Sequence, residues 1–160
     1  MDNTRTVAWD DPQAMGRDAR QSSGIDFLRS LIADQCRVPI GMTLNFRLVE
    51  VGEGLAVFEA EAGPWACNPI GSVHGGWYAA VLAAPLGVAL HTLLPKGTGY
   101  TTVELKVNLI RPVKPDTGLL RAVGKVISRG KRTALTEARM EDAEGRLYAH
   151  ATATCLILEG

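Results

Sequence analysis

Eighteen consecutive residues without a charge, Trp77–Leu94, limit the folds open to this chain more than any other stretch. An apolar run of this length suits either a membrane span or a helix buried on all sides. Pro85, Gly87 and His91 interrupt the run, it is rich in alanine, and no positive cluster flanks one side of it. We therefore predict a helix that is buried in the core of a globular domain.

The rest of the chain has the patterning of an antiparallel sheet. Two alternating runs joined by a glycine turn precede the helix, and four more follow it with short links. In the first run after the helix, alternation places Thr102 and Glu104 on one face and the apolar residues on the other. The economical arrangement is a sheet curled around the helix. The predicted strands are Met42–Glu50, Leu55–Ala62, Thr101–Ile110, Leu119–Ser128, Arg132–Glu141 and Leu147–Leu158.

Length sets the domain organisation. The chain has 160 residues, which fits one domain with its own core. We predict a loosely ordered lead-in over residues 1–23, without a signal-peptide core, and a single domain over residues 24–160. That domain is predicted to open with a helix, Gly24–Val38, which is ended by Pro39.

Charge and cysteine content exclude some classes of partner. Lys+Arg and Asp+Glu both number 17, so the protein has no basic field for nucleic acid. Three widely spaced cysteines match neither a zinc site nor a disulfide framework, which indicates a reducing cytoplasm. Because the net charge is zero, an anionic ligand has to bind to a local cluster of basic side chains. Turn cations in two adjacent hairpins favour a phosphate-bearing ligand, although such residues also typify a solvated rim: Arg111, Lys114, Arg129, Lys131 and Arg132.

The residues just before the apolar run carry the clearest chemical signal. Gly75 and Gly76 at the first turn of a helix leave backbone N–H groups uncovered. With the positive end of the helix dipole, these donors stabilise an oxyanion that forms on a carbonyl. Asn68 is placed to hold a water or a carbonyl group. The structural alternative is that the glycines allow close packing and that His74 caps the helix.

The remaining candidates are weaker. His91 lies within the apolar helix and is interpreted as a core or interface residue, and His150 lies in the last strand without a visible partner. Cys67 precedes His74 by seven residues, so a Cys–His pair is one interpretation and simple packing the other. No grouping of side chains has metal-ligand spacing, and we expect no metal and no cofactor.

Several stretches together resemble one family: NPIGSVHGG at 68–76, the apolar helix, GYTTVELKVNLIRPV at 99–113 and YAHATATCLIL at 148–158. They are similar to hotdog-fold acyl-CoA thioesterases of the phenylacetate-degradation (PaaI-type) branch, related to 4-hydroxybenzoyl-CoA thioesterases. The resemblance implies an α+β fold in which about six antiparallel strands wrap a long buried helix, with an added N-terminal helix. It also implies an aryl- or medium-chain acyl-CoA substrate, no cofactor beyond the substrate's coenzyme A, and a homodimer or dimer of dimers with active sites between subunits.

The resemblance also implies roles for individual residues. The Gly75 N–H would polarise the thioester carbonyl, and His74 would support this loop or contact the thioester. Asn68 would orient the water or the carbonyl, and Thr102 matches a Ser/Thr that the partner subunit contributes. Further substrate contacts are implied for Gly76, Trp77, Ala83, Arg129, Lys131 and Arg132.

One position departs from the family. The catalytic Asp or Glu of the family lies nine residues after the histidine, where this chain has Ala83. Alanine acts neither as a base nor as a nucleophile, and loss of a base lowers the rate by on the order of 10²–10⁴. Glu104 of the partner subunit is one substitute, if it shares a face with Thr102; the alternative is that it pairs with Lys106 or a cross-strand cation on the solvent face. Three hypotheses follow: a weakened thioesterase, a binding module without turnover, and an assembly role.

Overall fold

The computed structural model describes residues 3–159, so the first two residues of the predicted lead-in and the last of the predicted domain lie outside it. Four α-helices, one short 3-10 turn and six strands follow one another along the chain. The helices are α1 (Pro12–Gln21), α2 (Gly24–Ala33), α3 (Pro39–Leu44) and α4 (Gly75–His91), with the 3-10 turn at Pro64–Ala66. The strands are β1 (Phe46–Gly52), β2 (Leu55–Ala60), β3 (Gly99–Leu109), β4 (Leu120–Arg129), β5 (Thr133–Glu141) and β6 (Leu147–Leu158).

The six strands form one antiparallel sheet in the order β1-β2-β4-β5-β6-β3. Helix α4 contacts all six of them, so the sheet wraps the helix as predicted. Most of α4 is buried, including Val81, Leu82 and Leu86, none of which has any exposed surface. The predicted hotdog architecture is confirmed, and none of the described helices is long and apolar enough to cross a membrane.

The centre of α4 lies against β4 with no room for a side chain between them. A Cβ atom on Gly124 would lie 2.3 Å from the carbonyl oxygen of Pro85. Pro85 is itself buried and the helix continues through it, although proline supplies no N–H to the turn before. The glycine therefore lets the sheet approach a helix that carries a proline on its buried side.

The elements before β1 differ from the prediction. The predicted helix Gly24–Val38 ends earlier, at Ala33. Pro39 does not end this helix; it begins the next one, since proline is favoured at the first helical position. The first strand consequently starts at Phe46. Within the predicted lead-in, residues 12–21 form α1, whose N-cap Asp11 accepts the Gln13 N–H at 2.9 Å.

Candidate functional site

The start of α4 presents a single unused backbone donor. His74 is the N-cap, and its Nδ1 accepts the Gly76 N–H at 2.9 Å while its carbonyl oxygen accepts the Trp77 N–H at 2.9 Å. Among residues 3–159 no acceptor is within hydrogen-bonding distance of the Gly75 N–H. The predicted cap and the predicted free donor therefore coexist, because the cap occupies the second helical N–H and leaves the first one open.

The His74 cap also determines which nitrogen carries the proton. Because Nδ1 accepts a hydrogen bond, the ring is the neutral tautomer with hydrogen on Nε2. The His74 N–H donates to the Ala66 carbonyl oxygen at 2.8 Å, which ties the loop to the preceding turn. His74 is exposed, so its Nε2–H is available to a ligand at the helix start.

The two glycines meet different neighbours. A Cβ atom on Gly75 would lie 3.1 Å from Leu109 Cδ1 at the end of β3, and one on Gly76 would lie 3.0 Å from His74 Nδ1. Gly75 therefore allows close approach of β3 to the helix start, and Gly76 allows the histidine to fold back over the first turn.

Asn68 organises the loop that leads to the helix. Its Oδ1 accepts the Ile70 N–H at 3.1 Å and the Ser72 N–H at 3.2 Å, and its Nδ2 donates to Ser72 Oγ at 2.8 Å. Both lone pairs of Oδ1 are thus occupied. The second Nδ2 hydrogen has no acceptor within the described chain, so in this conformation Asn68 offers a water or a carbonyl a donor and no acceptor.

A groove of about 240 Å³ lies beside the helix start. Apolar side chains dominate its wall, which includes both chain neighbours of Gly75. The lining residues are Leu44, Trp65, Ala66, Cys67, His74, Gly76 and Trp77. Trp77, a predicted substrate contact, is buried, and its Nε1–H donates to the Leu44 carbonyl oxygen at 2.9 Å. Cys67 and His74 line the same groove but share no hydrogen bond in the part of the chain described.

Strand β3 has a bulge that reverses its alternation. Thr102 pairs with Cys155, and Glu104 already pairs with Thr154, so Val103 is the extra residue. Thr102 Oγ1 lies 3.8 Å from the buried Cys155 Sγ on the helix side, whereas Glu104 Oε2 accepts a hydrogen bond from Thr154 Oγ1 at 3.1 Å on the outer side. The prediction that Thr102 and Glu104 share a face is wrong, and Glu104 does not substitute for the missing acid from its own subunit.

Ala83 lies on the open side of α4. It is half-buried, eight residues and about 12 Å along the helix from Gly75. Helix α4 contains no acidic residue. The described strands direct their glutamates to the outer face: Glu50 and Glu59 pair with arginines there, and Glu137 lies 3.6 Å from His150. None of the residues that line the groove beside the helix start is acidic.

The five predicted cations divide between opposite ends of the sheet. Arg111 and Lys114 lie in the β3–β4 link at the Gly75 end, where Arg111 lies 5.8 Å from the centre of the Tyr148 ring. Arg129 ends β4, Lys131 and Arg132 lie in the β4–β5 turn, and Arg129 Nη1 donates to the Leu93 carbonyl oxygen at 3.0 Å, beyond the other end of α4. The prediction that the five cations form one cluster of adjacent hairpins is wrong, because the length of β4 separates the two groups.

Sequence reasoning missed the hydrogen bonds of Tyr78, and it missed Trp65 altogether. The buried Tyr78 hydroxyl donates to the Arg111 carbonyl oxygen at 3.3 Å and accepts the Val113 N–H, which joins the β3–β4 link to α4. Burial raises the pKa of Tyr78, so the phenol stays protonated and keeps its donor. Trp65 forms one wall of the groove. A lone tryptophan in a loop was the available signal, since such residues are seldom left fully exposed.

No three His, Cys, Asp or Glu side chains come together as a metal site anywhere in residues 3–159. His91 packs between the rings of Phe27 and Tyr100, in agreement with its interpretation as a core residue.

The chain is similar to one protein family and to several solved structures. The model of the thioesterase superfamily matches residues 70–149, half of the chain. A phenylacetic acid degradation-related protein from Ralstonia eutropha JMP134 is 26% identical, with a TM-score of 0.72 over 81% of this chain and 98% of that one. A conserved protein from Pseudomonas aeruginosa is 25% identical (TM-score 0.70, 78% and 98% covered). A thioesterase family protein from Silicibacter pomeroyi is 24% identical (TM-score 0.71, 83% and 96% covered). No protein with a curated description matches the sequence.

Proposed function

Because the chain belongs to the thioesterase superfamily, we propose that it hydrolyses an aryl- or medium-chain acyl-CoA thioester to the free acid and coenzyme A. The free Gly75 N–H carries this proposal. It donates to the thioester oxygen as water adds to the carbonyl carbon, and the helix dipole stabilises the resulting oxyanion. The C–S bond then breaks, the carbonyl reforms, and the thiolate of coenzyme A takes up the proton that the water releases.

The groove beside the helix start supports the acyl part of this proposal. Its volume is about 240 Å³. An apolar cavity of about 150 Å³ holds benzene, so this groove has room for a ring with a short linker or a medium chain. A longer chain would extend beyond it. The indole surfaces of Trp65 and Trp77 favour an aromatic acyl group, because aromatic rings gain about 0.5–1.5 kcal/mol from packing on one another.

Turnover in this site requires that water attacks the thioester without the help of a carboxylate base. Ala83 and the outward-facing Glu104 favour a second candidate, a module that binds acyl-CoA without hydrolysing it. The two functions share the Gly75 donor and the groove. They differ in whether the bound thioester is cleaved, and position 83 decides between them.

We infer that two copies pair through β3. This eleven-residue strand is one of the two edge strands of the sheet, and it exposes Val103, Leu105 and Leu109 by 60%, 39% and 55% of their surface. A long apolar edge is a template for pairing with another chain. In such a dimer the partner's Thr102 approaches the site, and the assembly is this dimer or a dimer of such dimers. All three cysteines are free thiols, which supports a location in the reducing cytoplasm.

A thiol-release assay over an acyl-CoA panel tests the proposal. We expect slow but measurable release for aryl and medium-chain substrates from the wild type. Ala83→Asp should raise kcat by on the order of 10²–10⁴, whereas the matched amide Ala83→Asn should not, because only the carboxylate accepts a proton. Substrate binding without release in the wild type, with gain of activity only in the aspartate variant, would select the binding module. No binding at all would contradict both.

A further inference from the structure

Trp65, which forms one wall of the groove, is held in place from outside it. The edge of the indole lies against Gly63, where a Cβ atom would be 2.5 Å from Trp65 Nε1. The guanidinium carbon of Arg5 lies 4.2 Å from the centre of the ring, and Arg5 does not itself line the groove. Trp65 is 38% exposed, so the protein covers the ring only in part. Gly63 and Arg5 are the neighbours that lie against its edge and its face.

Arg5 is in turn fixed by the end of α3. Its Nη1 donates to the Thr43 carbonyl oxygen at 2.6 Å and its Nη2 donates to the Met42 carbonyl oxygen at 2.8 Å. Both carbonyls belong to the last turn of α3, whose carbonyl groups have no partner within the helix. The guanidinium thus satisfies a helix end with its edge and contacts an aromatic ring with its face, a geometry that lysine does not reproduce.

The segment that carries Arg5 is anchored at its other end as well. Arg37 donates from Nε and Nη2 to Asp10 Oδ1 at 3.0 and 2.6 Å, and the Arg37 backbone N–H donates to Asp10 Oδ2 at 2.8 Å. The Asp10 N–H completes the pairing by donating to the Arg37 carbonyl oxygen at 3.0 Å. Residues 5–10 therefore run across the surface between two fixed points.

We propose that this N-terminal arm, residues 3–10, belongs to the acyl subsite: Arg5 positions Trp65, and Trp65 selects aryl and medium-chain acyl groups over short ones. The inference rests on the proposed function, because it assigns the groove to the acyl group of that reaction. Arg5 is a positioning residue, since it contacts the wall and not the substrate. Its loss leaves the Gly75 donor in place and frees the ring to leave the groove wall.

Steady-state kinetics with acetyl-CoA, hexanoyl-CoA and phenylacetyl-CoA test this assignment. Arg5→Ala should raise KM for the two larger substrates about tenfold while kcat changes less than twofold, and kcat/KM for acetyl-CoA should stay within twofold. Arg5→Lys should fall between wild type and Arg5→Ala. Arg17→Ala is the matched control, because Arg17 is exposed and makes only a 3.9 Å ion pair with Asp11; its selectivity should equal that of wild type.

A second pair of variants tests the wall directly. Trp65→Ala should reproduce the loss of selectivity of Arg5→Ala, the double variant should add nothing further, and Trp65→Phe should retain most of the preference. Equal selectivity in Arg5→Ala and Arg17→Ala, or an equal loss of kcat for all three substrates, would overturn the proposal.

The subsite remains testable if the wild type cleaves nothing. Non-hydrolysable thioether analogues of acetyl- and phenylacetyl-CoA then replace the substrates. The Kd of the acetyl analogue divided by the Kd of the phenylacetyl analogue then replaces the kinetic preference. A tenfold smaller ratio in Arg5→Ala supports the arm as part of the subsite even though the hydrolase proposal has failed. An unchanged ratio overturns the arm's role independently of turnover.

Discussion

The two ends of helix α4 each carry a histidine, and the two histidines have opposite surroundings. At the first end His74 is exposed and leaves the Gly75 N–H without an acceptor in the described chain. At the other end His91 is packed between two aromatic rings, and the carbonyl oxygens of Leu93 and Leu94 accept hydrogen bonds from Arg129 and from the Gly24 N–H.

The difference shows at which end of the helix this fold leaves a backbone hydrogen-bond donor unused. Thr92 Oγ1 also accepts the Gly54 N–H at 2.8 Å, so the second end of the helix is joined to α2, to the β1–β2 turn and to the β4–β5 turn. The first end is joined as well, by Trp77 to Leu44 and by the Tyr78 hydroxyl to the β3–β4 link. Packing and hydrogen bonding therefore stabilise both ends of α4, and the first end in addition keeps the Gly75 N–H for a ligand.

The largest expected effect comes from removing that donor. Gly75→Pro deletes the N–H, and proline is tolerated at the first helical position after the extended His74 backbone. We expect kcat to fall by about 10²–10³, the typical cost of one oxyanion donor. Gly75→Ala is the matched control, since its Cβ meets Leu109 equally but the N–H remains. A similar loss in both variants in a thiol-release assay would assign the effect to crowding rather than to the donor.

A smaller effect is expected from crowding the buried end. A Cβ atom on Gly87 would lie 2.7 Å from Tyr100 Cε2 and from its hydroxyl oxygen, and burial raises the pKa of Tyr100 to about 12. Gly87→Ala should reduce the free energy of unfolding in urea by about 1–3 kcal/mol, the usual cost of overpacking. The double variant Gly87→Ala/Tyr100→Leu should recover part of this loss. Additive losses would show that the contact is not the cause.

The histidine cap should contribute about 1 kcal/mol to stability. His74→Ala removes the acceptor for the Gly76 N–H, and N-cap replacements by alanine cost about 0.5–2 kcal/mol. His74→Asn supplies a side-chain oxygen acceptor and should restore most of the loss in urea unfolding. If His74→Asn recovers stability but not turnover, the imidazole has a role at the thioester beyond capping.

The smallest expected effect is a pH dependence at the buried end. Burial lowers the pKa of His91 below its value in the unfolded chain. At a pH between these two pKa values, the unfolded state therefore binds more protons than the folded state. The stability contribution is complete above the ordinary histidine pKa of about 6.5 and falls as the pH drops from there towards the lowered value. His91→Gln should flatten the curve of unfolding free energy between pH 7.5 and pH 5. The same slope in wild type and variant would exclude His91 as its source.

The sequence was sufficient to predict most of the framework. An uncharged run has to be buried, and alternating runs with glycine turns pair antiparallel, so the sheet and α4 followed from local pattern. The boundary near Pro39 did not, because proline ends one helix as readily as it starts the next. At the helix start, His74 and the two glycines indicated both a cap and an open donor, and only atomic positions show that Gly76 fills the cap and Gly75 does not.

The sequence by itself determined the buried helix, the succession of strands along the chain, the glycine-rich helix start and the absence of an acid at position 83. These depend on composition and on neighbours a few residues apart. The tertiary structure alone decided that the bulge at Val103 turns Glu104 outwards, that the cations divide between two ends of the sheet, and that Arg5 reaches Trp65. Each of these depends on pairing between distant segments. Cross-strand register and long-range contacts are set by how whole elements pack, and a local pattern does not contain them.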